Sequence, residues 1–290
     1  MTSLRIGFHV SIGGGISNSV GNAEEIGCSA FQIFTRNPRG WVAKPLAPND
    51  AELFKQRLSK SDIKPESVVV HMPYLPNLSG PSGEFYSKSV QVLEEEVQRC
   101  TSLGIRYLVI HLGSHMGKGT ASGIMQLTSA IDAAKRGRDK AGNRNRVTIL
   151  LENNAGQKNS IGANFEELRA ILDRVASLKE GIGVCLDTCH LLASGYDIRS
   201  IGKVEITLEK FDTVVGLREL KVIHLNDSKG ELNSNLDRHQ HIGLGSIGRE
   251  GLSAFINHRT TRNLPFIMET PIDKTRGNKE NMTAALKLAN

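Results

Sequence analysis

Eight short apolar runs recur along the chain, and segments with helical patterns of apolar residues separate them. The runs cover residues 5–10, 30–35, 67–72, 107–112, 147–153, 182–189, 220–227 and 264–271. Near-continuous apolar runs of this length are typical of parallel β-strands that are buried on both faces. The pattern therefore predicts eight parallel strands that alternate with helices.

Two of the intervening segments carry clear helix signals. In the first, Gly104 stands where a C-terminal cap belongs, after apolar residues at three- and four-residue steps: Tyr86, Val90, Leu93, Val97 and Cys100. In the second, Asn164 and Glu167 resemble a capping box ahead of a helical pattern. Eight strand–helix units fit an α/β fold, the (β/α)8 TIM barrel. We expect residues 1–290 to form one such domain, because no linker, repeat or low-complexity tract interrupts the pattern.

Composition and charge narrow the class of protein. The chain has 39% hydrophobic and 23% charged residues, which is ordinary globular composition. Its net charge of +6 permits a polyanionic partner without requiring one. The first strand-like run begins almost at once, with no signal peptide ahead of it and no apolar stretch long enough to span a bilayer, so we expect a cytoplasmic protein. In that compartment the four cysteines are expected to be reduced core residues: Cys28, Cys100, Cys185 and Cys189.

Metal-ligating residue types stand at the ends of six successive runs. The third to eighth runs place there, in order, His71, His111, Glu152, Asp187, His224 and Glu269. His190 follows Asp187 by three residues, and a polar loop after the seventh run brings Asp237 and His239, which face the same side of an extended segment. The carboxyl ends of all barrel strands converge on one mouth, where so many buried charges would be costly without cations. The pattern therefore predicts a metal site.

The number of candidate ligands indicates the size of that site. A catalytic zinc ion usually takes about three protein ligands and keeps one position open. Nine candidates therefore predict a cluster of about three ions with one or two bridging carboxylates. The mixture of imidazole and carboxylate suits Zn²⁺ and tolerates Mn²⁺. Cys185 and Cys189 flank Asp187, but we assign them to packing.

The candidate ligands other than His111 lie in six short segments: HMPYLPNL at 71–78, LENNAGQ at 151–157, CLDTCH at 185–190, HLNDSK at 224–229, DRHQHIG at 237–243 and ETP at 269–271. These segments resemble the signature segments of the endonuclease IV family, the zinc-dependent apurinic/apyrimidinic endonucleases. The resemblance covers essentially the whole chain and matches all nine ligand positions. Two departures, Asn154 in place of threonine and the loop 231–236, leave every ligand in place.

The resemblance implies a reaction and an allocation of three zinc ions. It assigns the ligands in three groups: His71, His111 and Glu152; Glu152, Asp187, His224 and Glu269; and His190, Asp237 and His239. It further implies cleavage of duplex DNA 5′ to an abasic site by a hydroxide that bridges two ions, with the third ion stabilising the departing 3′ oxygen. The products would be a 3′-hydroxyl and a 5′-deoxyribose phosphate, and the enzyme would also clean blocked 3′ ends. Either Glu152 or Glu269 would orient the water, and a monomer would suffice.

Recognition of an abasic nucleotide requires the enzyme to flip it out of the helix and to hold the gap open. By resemblance, the side chains inserted there are Arg39, Tyr74 and Leu75. Without the resemblance, Tyr74 and Leu75 would be interpreted as caps on the barrel mouth. Further basic residues on strand-end loops are candidates for phosphate contacts: Arg36, Lys118, Lys158, Lys229, Arg238 and Lys274. The glycine-rich turn 243–248 is a weak candidate for a phosphate cradle, and the basic run 135–146 is interpreted as a solvated loop at the opposite end of the barrel.

Two alternatives have different chemistry. A sugar isomerase or epimerase on a similar barrel would need Glu152, Asp187, His224 and Glu269, and it would leave the other five ligands without a task. A non-catalytic barrel that binds damaged DNA would have a closed metal site with no open coordination position.

Overall fold

The computed structural model describes residues 4–140, 147–175 and 181–289. Eight parallel strands form one sheet: β1 (Arg5–Phe8), β2 (Phe31–Ile33), β3 (Val68–His71), β4 (Tyr107–His111), β5 (Thr148–Glu152), β6 (Ile182–Asp187), β7 (Leu220–His224) and β10 (Pro265–Met268). Their order is β1-β10-β7-β6-β5-β4-β3-β2, and each strand lies within one of the eight apolar runs. The predicted TIM barrel is therefore confirmed. A separate antiparallel ribbon joins β8 (Asp227–Ser228) and β9 (His239–Gln240).

The barrel closes where β1 meets β2. His9 and Gln32 form a parallel bridge there, and the Ala30 N–H donates to the Ile6 carbonyl. A Cβ atom on Gly7 would lie 1.7 Å from the Ala30 carbonyl oxygen. Only glycine allows the two strands to approach this closely, so Gly7 is required by the closure.

A layer of seven side chains fills the interior of the barrel: Ala30, Val69, Val109, Leu150, Cys185, Val222 and Ile267. Side chains two positions apart along an extended chain face the same side. The residue two positions after each interior residue therefore emerges at the C-terminal mouth, and these residues are Gln32, His71, His111, Glu152, Asp187, His224 and Glu269. Cys185 belongs to the interior layer, in agreement with its assignment to packing.

Nine helices in the described ranges surround the strands: α1 (Asn18–Ile26), α2 (Pro48–Lys60), α3 (Glu84–Leu103), α4 (Thr120–Lys140), α5 (Phe165–Val175), α6 (Thr188–Ala193), α7 (Ile201–Val214), α8 (Gly248–Asn257) and α9 (Asn278–Leu286). Short 3-10 turns, Pro65–Ser67 and Leu217–Glu219, lead into β3 and β7. None of the helices in the described residues is both long and apolar enough to cross a membrane. The four cysteines are free and buried, as expected.

The helix signals are confirmed with one difference. Gly104 caps α3 in the left-handed conformation with φ of 73°, and Asn164 Oδ1 accepts the Glu167 N–H at 2.8 Å ahead of α5. The Glu167 carboxylate, however, accepts from the Gly162 N–H at 2.6 Å rather than from Asn164, so only half of the capping box forms. The Gly162 N–H, in the loop before α5, thus takes the place of the Asn164 N–H.

Two predicted boundaries are wrong. The run 182–189 was expected to remain extended, but α6 begins at Thr188 because the Asp187 carboxylate caps it and accepts the His190 N–H at 2.9 Å. The start of the basic run 135–146 was expected to be a solvated loop, yet it continues α4, and Lys135 is buried. Residues 141–146 lie outside the described part of the chain.

Candidate metal centre

The mouth of the barrel brings together nine ionisable side chains, and they are the nine candidate ligands: His71, His111, Glu152, Asp187, His190, His224, Asp237, His239 and Glu269. A cavity of ≈ 210 Å³ opens between them, with Tyr74 and Arg238 also in its lining. Asp187 and His224 are fully buried. The side chains form three overlapping groups, and Glu152 lies between the first two.

The first group consists of His71, His111 and Glu152, which end β3, β4 and β5. The Nε2 atoms of both imidazoles lie 3.1 Å from Glu152 Oε2. His71 is buried, whereas the side chain of His111 is 37% exposed and faces the cavity. Two imidazole nitrogens and one carboxylate oxygen thus converge on one point, with one side open.

The second group surrounds Nδ1 of His224. This nitrogen lies 3.0 Å from Glu152 Oε1, 3.5 Å from Glu269 Oε2 and 3.9 Å from Asp187 Oδ2. Glu152 therefore directs one oxygen to the first group and the other oxygen to the second. That is the arrangement expected of a carboxylate that bridges two ions.

The third group lies under the β8–β9 ribbon. Pairing of Ser228 with His239 fixes the ribbon, and extended backbone turns Asp237 and His239 to the same side. His190 Nε2 lies 3.1 Å from Asp237 Oδ1, and His239 Nε2 lies 3.7 Å from that oxygen and 3.5 Å from Asp187 Oδ2. Asp187 thereby contributes to the second and third groups.

Cys189 also approaches Asp237 and His239 closely enough to be a candidate ligand. Its thiol faces the Arg238 carbonyl oxygen at 3.7 Å, and burial raises the pKa of the Cys189 thiol to about 12. A protonated thiol is a poor metal ligand. Cys189 therefore fits the packing role expected of it.

Among the five histidines that are candidate ligands, four have one ring nitrogen fixed by an oxygen that can only accept a hydrogen bond. His71 Nδ1 donates to the Met72 carbonyl at 2.7 Å, His190 Nδ1 to the Asn153 carbonyl at 2.9 Å, His239 Nδ1 to the Glu269 carbonyl at 3.1 Å, and His224 Nε2 to the Gln32 side-chain oxygen at 2.9 Å. In each ring the other nitrogen is left to face the carboxylates. Outer contacts of this kind orient histidines for metal binding.

Two buried imidazole atoms lack the partner that a metal ion would supply. Nε2 of His190 and Nε2 of His239 are buried, and neither makes a hydrogen bond to any described residue. Buried polar atoms without partners are rare and call for an explanation. Both nitrogens point toward carboxylate oxygens of the third group, so the donor set there fits a divalent ion.

Without ions, the carboxylates and imidazoles perturb one another's protonation. Burial opposes a charge on His190, but the nearby carboxylates of Asp187 and Asp237 outweigh it and raise the pKa of His190 to about 10. Burial likewise opposes ionisation of Glu152, but His111 and His224 hold the pKa of Glu152 well below its usual range. In the metal-free protein, protons on the imidazoles thus balance the carboxylate charges that metal cations would otherwise balance.

The sequence analysis did not identify three buried amides that hydrogen-bond to the candidate ligands. Gln32 bonds His224 and Glu269. Asn226 Nδ2 donates to Asp187 Oδ2 at 2.7 Å, and its Oδ1 accepts the Glu269 N–H at 2.8 Å. Asn153 Oδ1 accepts the Asp187 N–H at 2.6 Å. Gln32 follows the interior residue Ala30 by two positions, as the other mouth residues follow theirs, so this spacing could have identified it from the sequence.

The residues expected to insert into DNA lie at the rim of the same mouth. Tyr74 and Leu75 are 55% and 40% exposed, and Arg39 is exposed on the loop after β2. The Tyr74 ring packs edge-on against Phe34, with centroids 5.1 Å apart, and lies 5.7 Å from the His111 ring. An exposed aromatic ring therefore stands directly beside the first ligand group.

Most of the suggested phosphate-contacting residues are exposed, namely Lys118, Lys158, Lys229, Arg238 and Lys274. The suggestion for Arg36 is wrong, because its side chain is 1% exposed and bonds Glu95 and Glu96. The glycine-rich turn is not a free phosphate cradle either. Its N–H groups at Gly245, Ile247 and Gly248 donate to the buried Asp227 carboxylate, which already fills the place of an anion.

Comparison with known proteins identifies the family. The family model described as a xylose isomerase-like TIM barrel matches residues 20–289. A probable endonuclease 4 of Cenarchaeum symbiosum (strain A) is 50% identical over 286 residues, which cover 99% of this chain and 100% of the relative. The crystal structure of endonuclease IV from Thermus thermophilus matches with a TM-score of 0.85 and 35% identity, and the match covers 98% of each chain.

A sugar-enzyme relative shares only the fold. A D-tagatose 3-epimerase-like protein matches with a TM-score of 0.70 over 98% of each chain, but at 17% identity. Identity this low shows a common barrel and nothing about the reaction. The full-length identity to a probable endonuclease 4 is far higher, in agreement with the resemblance of the signature segments. The chain therefore belongs to the endonuclease IV family, within the xylose isomerase-like TIM barrels.

Proposed function

We propose that the protein is a metal-dependent nuclease of DNA repair that cleaves duplex DNA on the 5′ side of an abasic site. The single observation that carries this proposal is the convergence of nine histidine and carboxylate side chains, in three overlapping groups, at one barrel mouth. A family whose curated relatives are named probable endonuclease 4 supports a nuclease acting on DNA. The products would be a 3′-hydroxyl and a 5′-deoxyribose phosphate, and blocked 3′ ends would be substrates too.

We infer that the centre holds three Zn²⁺ ions, for which Mn²⁺ could substitute. The groups would be His71, His111 and Glu152; Glu152, Asp187, His224 and Glu269; and His190, Asp237 and His239, with Asp187 close to the third group as well. Zinc, when bound, supplies Lewis acidity that lowers the pKa of a coordinated water to about 7 and stabilises charge on phosphate oxygens. The imidazole and carboxylate donors of the site match this ion.

The two glutamates would have different tasks. Glu152 is 1% exposed and is enclosed by four imidazoles, so it would hold ions and exclude water. Glu269 is 16% exposed and lines the cavity, and its Oε1 accepts a hydrogen bond from Gln32 at 2.8 Å. Of the two, Glu269 is the better placed to orient an entering water molecule and to accept its proton.

The rim residues would read the lesion. An abasic nucleotide offers no base, so the enzyme must stabilise a flipped backbone and fill the gap left in the stack. Tyr74, Leu75 and Arg39 are exposed beside the mouth and could enter such a gap. The Tyr74 ring in particular is held in place by its contact with Phe34 while about half of its surface stays exposed to solvent. We further propose that residues 1–290 act as one domain, as a monomer, in the cytoplasm.

The decisive experiment uses a short duplex with one abasic site and the matching undamaged duplex. The zinc-loaded protein is expected to cut only the damaged strand, 5′ to the lesion, and a chelator is expected to abolish cutting until zinc is returned. Tight binding of the damaged duplex without any cut would instead indicate a non-catalytic damage-binding barrel. If zinc-loaded protein neither binds nor cuts, the nuclease proposal is wrong, and isomerisation of ketose sugars would be assayed next.

A further inference from the structure

We propose that Gln32 is a positioning residue of the metal centre, whose amide selects Nδ1 of His224 as the ligand atom and holds Glu269 for the same ion. Gln32 is the middle residue of β2, a strand that supplies none of the nine candidate ligands. The inference rests on the proposed metal site and goes beyond it, because it assigns a task to a residue that touches neither substrate nor metal.

The Gln32 side chain is fully buried and contacts three groups at once. Its Oε1 lies 2.9 Å from His224 Nε2, and its Nε2 lies 2.8 Å from Glu269 Oε1. The same amide nitrogen lies 3.0 Å from Nδ1 of His9, the residue opposite Gln32 in the β1–β2 bridge. The two amide hydrogens and the amide oxygen therefore all have partners.

These partners allow only one orientation of the amide. Glu269 Oε1 is a carboxylate oxygen and can only accept while ionised, so the NH₂ group must face it. The amide oxygen must then face His224, and because that oxygen can only accept, His224 carries a proton on Nε2. In the neutral imidazole that can bind a metal ion, Nδ1 of His224 is consequently the nitrogen with a lone pair, and it is the one directed at Glu152, Asp187 and Glu269.

The barrel makes this contact rigid. Gln32 follows the interior residue Ala30 by two positions, and β2 is held by β3 on one side and by the closing bridge to β1 on the other. A residue on a barrel strand keeps its direction better than one on a loop. Loss of an outer contact to a metal-bound histidine typically costs 10–100-fold in metal affinity. We therefore expect about a tenfold loss when the Gln32 amide is removed.

The test compares zinc-loaded protein with two variants. Gln32→Leu has a similar volume but no polar atom, so zinc should pass to a chromophoric chelator about ten times faster than from the unchanged protein. In ¹⁵N-histidine NMR of the loaded protein, the His224 Nε2–H should give a downfield signal that exchanges slowly with water. Gln32→Leu should lose that protection, because the proton then has no acceptor.

Gln32→Glu separates the two halves of the contact. It keeps an acceptor for His224 and makes that acceptor charged, so the protected Nε2–H signal should return and move further downfield. The matched control is Thr148→Val, which removes a buried hydroxyl at the opposite end of β5 from Glu152. It should leave both the zinc release rate and the His224 signal unchanged.

Two failures can be told apart. If the unchanged protein retains no zinc against the chelator, the metal site itself is wrong and the inference falls with it. If the unchanged protein holds zinc and Gln32→Leu shows the same release rate and the same protected signal, the metal site stands and the assignment of Gln32 is overturned. Neither readout depends on cleavage of DNA.

Discussion

Two clusters of charged side chains in this barrel are balanced in opposite ways. The first, the α3 ion cluster, consists of Arg36, Glu95, Glu96 and Arg99. Its two arginines match its two glutamates, and Glu96 accepts hydrogen bonds from Arg36 Nε at 2.5 Å and from Thr35 Oγ1 at 2.7 Å. The second, the metal centre, has four carboxylates and five imidazoles, which are uncharged unless protonated.

The difference separates a structural cluster from a functional one. Arg99 donates to the Thr35 carbonyl at 2.6 Å and to the Lys44 carbonyl at 3.1 Å, so the α3 ion cluster fixes both ends of the loop that carries Arg39. Its two positive charges and two negative charges cancel within the protein. The metal centre cannot cancel its four negative charges with neutral imidazoles and therefore requires protons or cations. An unbalanced charge, more than burial, therefore distinguishes the candidate metal centre from the α3 ion cluster.

The largest expected effect comes from Glu152→Gln. The change removes one charge and one bridging oxygen at the junction of the first two ligand groups. Because loss of mere outer contacts costs 10–100-fold, cleavage of abasic duplex should fall by at least about 100-fold, together with the zinc content measured after dialysis. Retention of both the zinc and the activity would show that Glu152 is not a ligand.

Breaking the α3 ion cluster should lower stability instead. Glu96→Ala leaves the buried guanidinium of Arg36 without its main partner, and loss of one member of a buried pair costs about 3–5 kcal/mol of unfolding free energy. Urea unfolding measures this cost. The double variant Arg36→Met with Glu96→Leu should recover most of it, because apolar residues can replace a balanced buried pair. A double variant as unstable as Glu96→Ala would contradict a purely structural role.

The two states of the metal centre should depend on pH with opposite signs. In metal-free protein, burial opposes a charge on His190, and Asp187 with Asp237 raises its pKa to about 10; the pKa of His224 is also raised. Their contribution to stability is fully present below the unfolded pKa of about 6.5 and is lost as pH rises through the folded values.

The zinc-loaded protein should show the reverse trend over the same range, because zinc must displace those protons and binds more tightly as pH rises. Urea midpoints of both forms between about pH 6.5 and about pH 9 test this. The pKa values of Glu152 and Glu269 are lowered in the metal-free form, so these carboxylates stabilise it at neutral pH. That stabilisation is lost in acid, as pH falls through their folded-state pKa values. Parallel pH profiles for the two forms would argue against proton displacement.

The smallest effect is expected at the edge of the α3 ion cluster. Glu95 is 37% exposed and pairs with Arg36 at 2.8 Å. Because solvent reaches Glu95 and the buried Arg36 keeps its pair with Glu96, Glu95→Gln should cost about 1 kcal/mol or less, shift the urea midpoint only slightly and leave zinc content and cleavage unchanged. The same variant serves as the carboxylate-to-amide control for Glu152→Gln. A loss of several kcal/mol would mean that Glu95 and Glu96 share the burial cost.

The sequence by itself determined the barrel and the positions of the candidate ligands around it. Strand-end residues such as His71, Glu152 and Asp187 could be placed at one mouth because a parallel barrel brings every carboxyl strand end to the same side. The family was likewise readable from short signature segments. Both inferences depend on local pattern and chain direction, which a linear sequence contains.

Only the tertiary structure decided what each polar side chain contacts. Gln32 and His224 are 192 positions apart in the sequence, and Arg36 and Glu96 are 60 positions apart, so no local sequence pattern predicts either contact. Arg36 had been interpreted as a phosphate-binding residue because a basic residue on a strand-end loop is ordinarily exposed. Its burial follows from the packing of α3 against that loop, and the selection of Nδ1 on His224 follows from the closure of β2 onto β1. Hydrogen-bond partners depend on distances of tenths of an ångström between remote segments, and only the folded chain fixes those distances.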